Sequence, residues 1–151
     1  MFRRVLIVCV GNVCRSPMAE ALLARRLAGA GFRAEVGSAG LAALVGRPVH
    51  PLARALLLER GLDLAGHRAR QLTPALASWA ELVLVMEARH ERGVLDLAPE
   101  ARGRVHRLGR FGGFDVPDPF HHERPAFEQA LALIERGLDD FQAAFWRRPA
   151  P

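Results

Sequence analysis

The chain has 151 residues and a mass of 16.6 kDa, the usual size of one domain with a single core. Half of its residues are hydrophobic and a quarter are charged, which excludes a disordered or fibrous protein. The formal net charge is +5, but the basic residues are scattered and no aromatic residues are interleaved with them. We therefore expect an anionic small group, and not nucleic acid, as the binding partner.

Apolar segments and cysteines limit where the protein can work. The longest apolar runs, 5–10 and 82–86, are too short to cross a bilayer, and the N-terminus lacks a signal-peptide pattern. Cys9 and Cys14 are too close in sequence to link distant parts of a secreted disulfide scaffold. We expect a cytoplasmic protein with no membrane insertion, and neither a metal nor a cofactor, because the spacing of cysteines and histidines does not match a structural zinc site.

Strand and helix signals alternate along the chain. The apolar run Val5–Val10 is typical of a strand buried on both faces of a parallel sheet. Ser16 and Pro17 have the residue types of a helix N-cap and first helical position, and they precede a predicted helix at Met18–Ala28. The other predicted elements are strands at Phe32–Val36, Glu81–Met86 and Arg104–Leu108, and helices at Pro51–Arg60, ended by Gly61, at Glu87–Leu97 and at Pro125–Trp146.

This alternation predicts an α/β fold: a single-domain doubly wound sheet of four parallel strands flanked by helices, with a phosphate-binding loop after strand 1. The domain is expected to span 1–151, with 147–151 as a loose tail. The last helix has the clearest periodicity, an apolar stripe expected in the core at Phe127, Leu131, Ile134, Leu138, Phe141 and Phe145. The aperiodic stretch 110–124 before it is expected to be a functional loop.

The loop after the first predicted strand has residues suited to binding an anion. Cys9 stands six residues before Arg15, between a buried strand and a helix start. Amides of a curled loop and of a helix N-terminus form an anion cradle, to which Arg15 can add a bidentate contact. The same field favours a thiolate at Cys9, which would be a phosphoryl-group nucleophile. Gly11 and Asn12 tolerate the left-handed backbone angles of a tight loop.

Ordinary structural roles compete with these interpretations. A cysteine that ends a core strand is commonly a small buried hydrophobe, and an arginine at a helix start is commonly solvated. The combination with Gly11, Asn12 and Ser16 favours the anion cradle. Ser16 can be a helix N-cap or a donor to the Cys9 sulfur, and both remain open. A nucleotide P-loop is excluded because the chain contains no lysine.

The segment Val8–Pro17, VCVGNVCRSP, resembles the signature of the low-molecular-weight protein tyrosine phosphatases. Further similar segments follow in the same order, at Ser38–Gly40, His67–Leu72, Met86–His90 and Val116–Phe120. The segment Ser38–Gly46 resembles the bacterial subgroup that dephosphorylates tyrosine kinases controlling capsule and exopolysaccharide export. The resemblance implies a metal-independent enzyme with a phosphocysteine intermediate.

The resemblance also implies a role for each matching residue. Cys9 would be the nucleophile, Arg15 the phosphate clamp, Ser16 the thiolate partner and Asp118 the general acid, whereas Asp115 is the less favoured acid. Asn12 would shape the cradle, supported by Ser38 and His67. The remaining assignments are the loop residues Val10, Gly11, Val13 and Cys14, and the substrate-cleft residues Leu44 and Phe120.

Phe120 and Cys14 distinguish this chain from many members of the family that it resembles. The chain has no tyrosine, so Phe120 stands where many relatives carry a phosphorylatable tyrosine. Cys14 is hypothesised to protect Cys9 from overoxidation through a reversible disulfide; the alternative is a small residue that fills the back of the loop. The expected partner is a phosphotyrosine-containing protein, with a bacterial tyrosine autokinase as one candidate, and the expected state is a monomer or weak oligomer.

Three other functions compete with phosphotyrosine hydrolysis. A thioredoxin-coupled arsenate reductase of the same fold needs cysteines downstream of Cys14, and none follows. A protein-arginine phosphatase resembles this loop but carries threonine at the position of Val13. A non-catalytic phosphotyrosine-binding signalling module would lack the nucleophile or the acid, whereas Cys9 and Asp118 are both present.

Overall fold

Four parallel strands form the centre of the fold. In the computed structural model, which describes residues 1–148, the strands are β1 (Arg4–Cys9), β2 (Glu35–Gly40), β3 (Leu82–Val85) and β4 (Val105–Arg107), in the spatial order β2-β1-β3-β4. The helices are α1 (Arg15–Gly29), α2 (Pro51–Glu59), α3 (Pro74–Trp79), α4 (Ala88–Leu97) and α5 (Arg124–Phe145), with a 3-10 turn at Pro99–Ala101. Most of the predicted tail, from 149 onward, lies outside the described residues.

The central strands are apolar on both faces because helices cover both faces. In β1, Val5 and Ile7 belong to a core that includes residues of α1, α2 and α5. Leu6 and Val8 belong to a second core with residues of α3, α4 and the 3-10 turn. This alternation explains why β1 is a continuous apolar run and confirms the predicted doubly wound sheet.

The strand order brings two loops together at the carboxyl edge of the sheet. β1 pairs in parallel with β3, with Val8 opposite Val85, so the segments that follow the two strands leave the sheet side by side. On the other side, Cys9 pairs with Gly40 at the end of β2. A side chain at Gly40 would place its Cβ atom 2.4 Å from the Val10 carbonyl oxygen, so this close approach requires glycine.

Several element predictions were wrong in detail. Strand β2 begins at Glu35 and not at Phe32, because pairing with β1 selects the glycine-rich segment up to Gly40 despite its weak strand propensity. Helix α3 was not predicted, although Thr73 caps it and Pro74 occupies its first turn. Phe145, predicted in the core, is 37% exposed at the end of α5, while the other five residues of the stripe are buried.

No helix among residues 1–148 combines the length and the apolar character needed to cross a membrane.

Candidate active site

The loop that follows β1 turns its carbonyl groups outward. The carbonyls of Cys9 to Val13 each accept a hydrogen bond from outside the loop; in order, the donors are Leu41 N (2.9 Å), Ala42 N (3.0 Å), Leu44 N (3.1 Å), His67 Nε2 (2.8 Å) and His50 N (2.8 Å). Because C=O and N–H point in opposite directions across a planar trans peptide, outward carbonyls turn the following amides toward the centre of the loop. The arrangement makes a nest of donors suited to an anion.

Asn12 holds this nest together from within. It is fully buried and has a left-handed φ of 59°. Its Nδ2 atom donates to Ser16 Oγ (2.8 Å) and Ser38 Oγ (3.0 Å), and its Oδ1 atom accepts from the Arg70 backbone N–H (2.9 Å). Of the two loop residues expected to tolerate left-handed backbone angles, Gly11 and Asn12, only Asn12 adopts them.

The sulfur of Cys9 receives two polar contacts. Ser16 Oγ lies 2.9 Å from Cys9 Sγ, and the Asn12 backbone N–H donates to the same sulfur at 3.3 Å. Because the Ser16 oxygen already accepts from the Asn12 side chain, its own hydroxyl proton is free to point to the sulfur. Donation by both groups would stabilise a thiolate.

Ser16 is not the N-cap of α1, as one of its two interpretations required. The helix begins at Arg15, Cys14 is the residue before it, and Ser16 lies inside the first turn. The N-cap residue Cys14 makes no side-chain capping hydrogen bond. Of the two interpretations of Ser16, the structure therefore retains the contact with the Cys9 sulfur.

Arg15 is buried and carries its charge between two acidic groups. Its side chain is 1% exposed, and Nη1 donates to Glu87 Oε2 (2.6 Å) and to the Val116 carbonyl (2.8 Å). Its Nη2 atom lies 3.4 Å from Asp118 Oδ2. Burial acts to raise the pKa of Glu87, but hydrogen bonds from Arg15 and Arg89 hold that pKa below its usual value. Glu87 is thus an anionic anchor for Arg15.

His90 supports Glu87 from the first turn of α4. Its Nδ1 atom accepts from the Glu87 backbone N–H at 3.2 Å, which places the imidazole proton on Nε2. That Nε2 atom is buried 3.3 Å from Glu87 Oε2 and makes no hydrogen bond within residues 1–148. Burial lowers the pKa of His90, and the nearby positive charge of Arg15 lowers it further. Neither Glu87 nor His90 was assigned from the sequence.

The two aspartates of the loop before α5 have different surroundings. Asp118 is 41% exposed, and its Oδ1 atom accepts from the Phe120 backbone N–H at 3.1 Å. Asp115 instead pairs with Arg107 Nη1 (3.0 Å) and accepts from the Ala88 backbone N–H (3.0 Å). Asp118 is therefore the carboxylate at the cleft, whereas Asp115 connects the ends of β4 and α4.

A cleft opens above the Cys9 sulfur. Leu44 and Phe120, both predicted, form part of its wall, and Asp118 stands at its edge. Ala42 and His121 also line it and were not assigned from the sequence. Asn12, Ser16, Ser38 and His67 are not in the lining and support the loop from behind. The lining is completed by Val10, Gly11, Val13, Cys14 and Arg15.

Both cysteines are free thiols. Burial raises the pKa of the Cys14 thiol, and negative charge on Cys9 and Asp118 raises it further. Cys14 is therefore expected to stay protonated near neutral pH. The part of the chain that the structure describes has no group of three or more His, Cys, Asp or Glu residues that could hold a metal ion.

Comparison with known proteins decides the family. The model of the family described as low molecular weight phosphotyrosine protein phosphatase matches residues 4–148. The chain belongs to this family. The resemblance in the sequence is thereby confirmed over nearly the whole length.

Other proteins of this phosphatase family share both sequence and fold with this chain. It is 45% identical over 139 residues to a probable low molecular weight protein-tyrosine-phosphatase, EpsP, of Ralstonia solanacearum (92% of this chain, 93% of the relative). It is 42% identical over 147 residues to Wzb of Escherichia coli K12 (95% and 96%). The solved structure of Vibrio vulnificus Wzb in complex with benzylphosphonate superposes with a TM-score of 0.89 at 37% identity (96% and 100%).

Proposed function

We propose that this chain hydrolyses phosphotyrosine on proteins through a phosphocysteine intermediate. The observation that carries the proposal is the joint placement of three groups at one cleft: the Cys9 sulfur within the amide nest, the buried Arg15 beside it, and the Asp118 carboxyl 3.4 Å from the guanidinium. Membership of the phosphotyrosine phosphatase family supports the same activity.

In the first step, the Cys9 thiolate attacks the phosphorus of the bound phosphotyrosine. The inward amides and Arg15 hold the phosphoryl oxygens and stabilise their charge in the transition state. The bond between phosphorus and the phenolic oxygen breaks, and protonated Asp118 gives its proton to that oxygen. The products are a dephosphorylated tyrosine side chain on the substrate protein and a phosphoryl group on Cys9.

In the second step, water hydrolyses the phosphocysteine. The Asp118 carboxylate, left by the first step, takes a proton from the attacking water. The bond between phosphorus and sulfur breaks, and the Cys9 thiolate is recovered with inorganic phosphate. Ser16 Oγ, 2.9 Å from the sulfur, donates its hydroxyl proton as a hydrogen bond and stabilises the departing thiolate.

The walls of the cleft support phosphotyrosine over other phosphoamino acids. Leu44 and Phe120 stand above the nest and offer apolar surface to a phenyl ring. A phosphoserine side chain would be too short to contact them while its phosphate occupies the nest. Val13 lacks the hydroxyl that the resembling arginine phosphatases carry at this position, so phosphoarginine is the less favoured substrate.

The named relatives support a narrower physiological role. Wzb is named as a low molecular weight protein-tyrosine-phosphatase and EpsP as a probable one. The segment Ser38–Gly46 resembles the subgroup linked to capsule and exopolysaccharide export. We therefore propose that this chain works in the cytoplasm and that its substrate is a bacterial tyrosine autokinase or another phosphoprotein of that export system. The arrangement needs no metal and no cofactor for either step.

The proposed chemistry is tested by measuring hydrolysis of para-nitrophenyl phosphate in the presence of EDTA. The parent chain is compared with Cys9→Ser. We expect turnover by the parent and none above background by the variant, with matching circular dichroism spectra. Phosphotyrosine, phosphoserine and phosphoarginine peptides then separate the substrate classes. Undiminished turnover by Cys9→Ser would overturn the mechanism, and faster release of phosphate from phosphoarginine would overturn the substrate assignment.

A further inference from the structure

His50 joins three parts of the structure next to the cleft. Its backbone N–H donates to the Val13 carbonyl of the phosphate-binding loop at 2.8 Å. Its Nδ1 atom accepts from the Leu52 backbone N–H at 3.1 Å and so caps the start of α2. Its ring packs against Phe127 of α5 and against Phe120, which lies in the loop between β4 and α5 that also carries Asp118.

The two aromatic neighbours of His50 differ in how firmly they are held. Phe127 belongs to α5 and is fully buried, and its ring centroid lies 4.6 Å from that of His50. Phe120 lies in a loop between β4 and α5 and is only half-buried. Its ring meets His50 edge to face, with centroids 5.9 Å apart and an interplanar angle of 74°. The imidazole therefore connects a cleft-wall residue to the core.

The geometry fixes the form of the imidazole. Because Nδ1 accepts the Leu52 N–H, the ring proton lies on Nε2 and the ring is neutral. Burial lowers the pKa of His50, which also favours the neutral ring. A neutral ring can cap the helix and pack between two phenyl groups at the same time.

We propose that His50 is a positioning residue for Phe120 and so sets the preference of the cleft for phosphate groups that carry an aromatic ring. This rests on the proposed function of the cleft. Phe120 also meets its exposed neighbour His121 edge to face, with centroids 4.8 Å apart, but that contact lies within the same loop. Without the imidazole of His50, Phe120 loses its edge-to-face contact outside the loop and its connection to Phe127. The nest itself keeps its contact, because the His50 N–H that supports Val13 belongs to the main chain and survives any substitution except proline.

Two substitutions separate the roles of the His50 side chain. His50→Asn keeps a side-chain acceptor at the N-cap but removes the ring, whereas His50→Phe keeps a ring but removes the acceptor. The probes are benzylphosphonate, which has both an anionic head and a phenyl ring, and inorganic phosphate, which has the anion alone. Both are measured by calorimetry with the whole chain.

We expect His50→Asn to weaken benzylphosphonate binding by roughly three- to tenfold, with the affinity for phosphate unchanged within twofold. His50→Phe should bring benzylphosphonate binding back to within twofold of the parent but lower the melting temperature by roughly 2–4 °C. In a Phe120→Ala background, His50→Asn should have no further effect on benzylphosphonate. This last result tests the connection without relying on the stability of either single variant.

The proposal is overturned if His50→Asn weakens both probes equally, if it leaves both unchanged, or if its effect on benzylphosphonate persists in Phe120→Ala. Binding needs no turnover, so these results stand apart from the activity assay. A parent chain that binds both probes but hydrolyses no phosphate ester would contradict the proposed function and leave the role of His50 to be decided by the affinities.

Discussion

Arg15 Nη1 lies 2.6 Å from Glu87 Oε2, which ties the first residue of α1 to the residue that precedes α4. The contact is possible because β1 and β3 are neighbours and both end at the same edge of the sheet. Arg15 is buried, so its charge depends on Glu87 and Asp118 for compensation. The orientation of the proposed phosphate clamp is thus set by a residue outside the phosphate-binding loop.

Removing the Glu87 carboxylate should affect both stability and catalysis. Glu87→Ala leaves a buried guanidinium without its strongest partner and should lower the free energy of unfolding by about 3 kcal/mol. It should also lower kcat/KM for para-nitrophenyl phosphate by roughly ten- to a hundredfold, because the clamp loses its orientation. Urea unfolding and steady-state kinetics measure these effects.

Two further variants make the Glu87 test specific. Glu87→Gln retains an oxygen that can accept from Arg15 and should recover part of both losses. Asp96→Ala removes an exposed carboxylate from the same helix, α4, and should change stability by less than about 0.5 kcal/mol. Equal effects of Glu87→Ala and Asp96→Ala would show that the contact with Arg15 contributes nothing.

Asp118 should matter most when the leaving group is poor. Asp118→Asn cannot donate the proton that a phenolate needs, so kcat for phenyl phosphate should fall by roughly 10²- to 10³-fold. The loss should be much smaller for 2,4-dinitrophenyl phosphate, whose leaving group departs unprotonated. Asp115→Asn is the matched control, since Asp115 is engaged by Arg107 and should show no dependence on leaving group. The same leaving-group dependence in Asp115→Asn, and none in Asp118→Asn, would make Asp115 the general acid in place of Asp118.

Buried histidine should make the protein less stable in mild acid. The folded state keeps His90 neutral, because burial and the charge of Arg15 lower its pKa, whereas a histidine in the unfolded chain has a pKa of about 6.5. The unfolded state therefore binds more protons as the pH falls below that value, and stability decreases. Glu87, whose pKa is also lowered, adds a further loss at more acidic pH, as the pH falls from the ordinary pKa of a glutamate through the lowered pKa of Glu87.

Urea unfolding at several pH values between 6.5 and 5 measures this loss. His90→Asn should make the free energy of unfolding less dependent on pH in this window, although His50 and His106, whose pKa values burial also lowers, keep part of the slope. A slope identical to that of the parent would show that protonation of His90 does not oppose folding.

The two thiols should react differently with alkylating agents. Cys9 lines the cleft and receives hydrogen bonds that stabilise a thiolate, whereas burial raises the pKa of Cys14. Iodoacetate at neutral pH should therefore label Cys9 and spare Cys14, and inorganic phosphate should slow the labelling by occupying the nest. Peptide mass spectrometry identifies the labelled residue. Labelling of Cys14 at the same rate would contradict the assignment of the reactive thiol.

The site was predictable where its chemistry is local in sequence. Cys9 and Arg15 lie on one short loop between a buried run and a helix, so spacing and residue type alone indicate an anion cradle. Asp118 is distant from Cys9 in the sequence, and its assignment came from the resemblance to the family. The loop itself, aperiodic from residue 110, was correctly predicted to lack regular structure up to the start of α5.

Glu87 and the contact between His50 and Phe120 could not be predicted in the same way. Glu87 contacts Arg15 only because the sheet places β3 beside β1, and the order of strands is not encoded in any short segment. One signal was available, since Glu87 directly follows a buried strand at the edge where sites of this fold class form. His50 precedes Pro51 at a helix start, which indicates an N-cap, but its contact with Phe120 depends on how the long loop folds back.

The phosphoryl group on Cys9 is the most direct test of the central claim. The parent chain is mixed with para-nitrophenyl phosphate, quenched in acid within milliseconds, digested and analysed by mass spectrometry. The account predicts one phosphoryl group on the peptide that contains Cys9, formed together with a burst of para-nitrophenol and lost as inorganic phosphate appears. Turnover at the full rate with no phosphoryl group on Cys9 at any time point would contradict it.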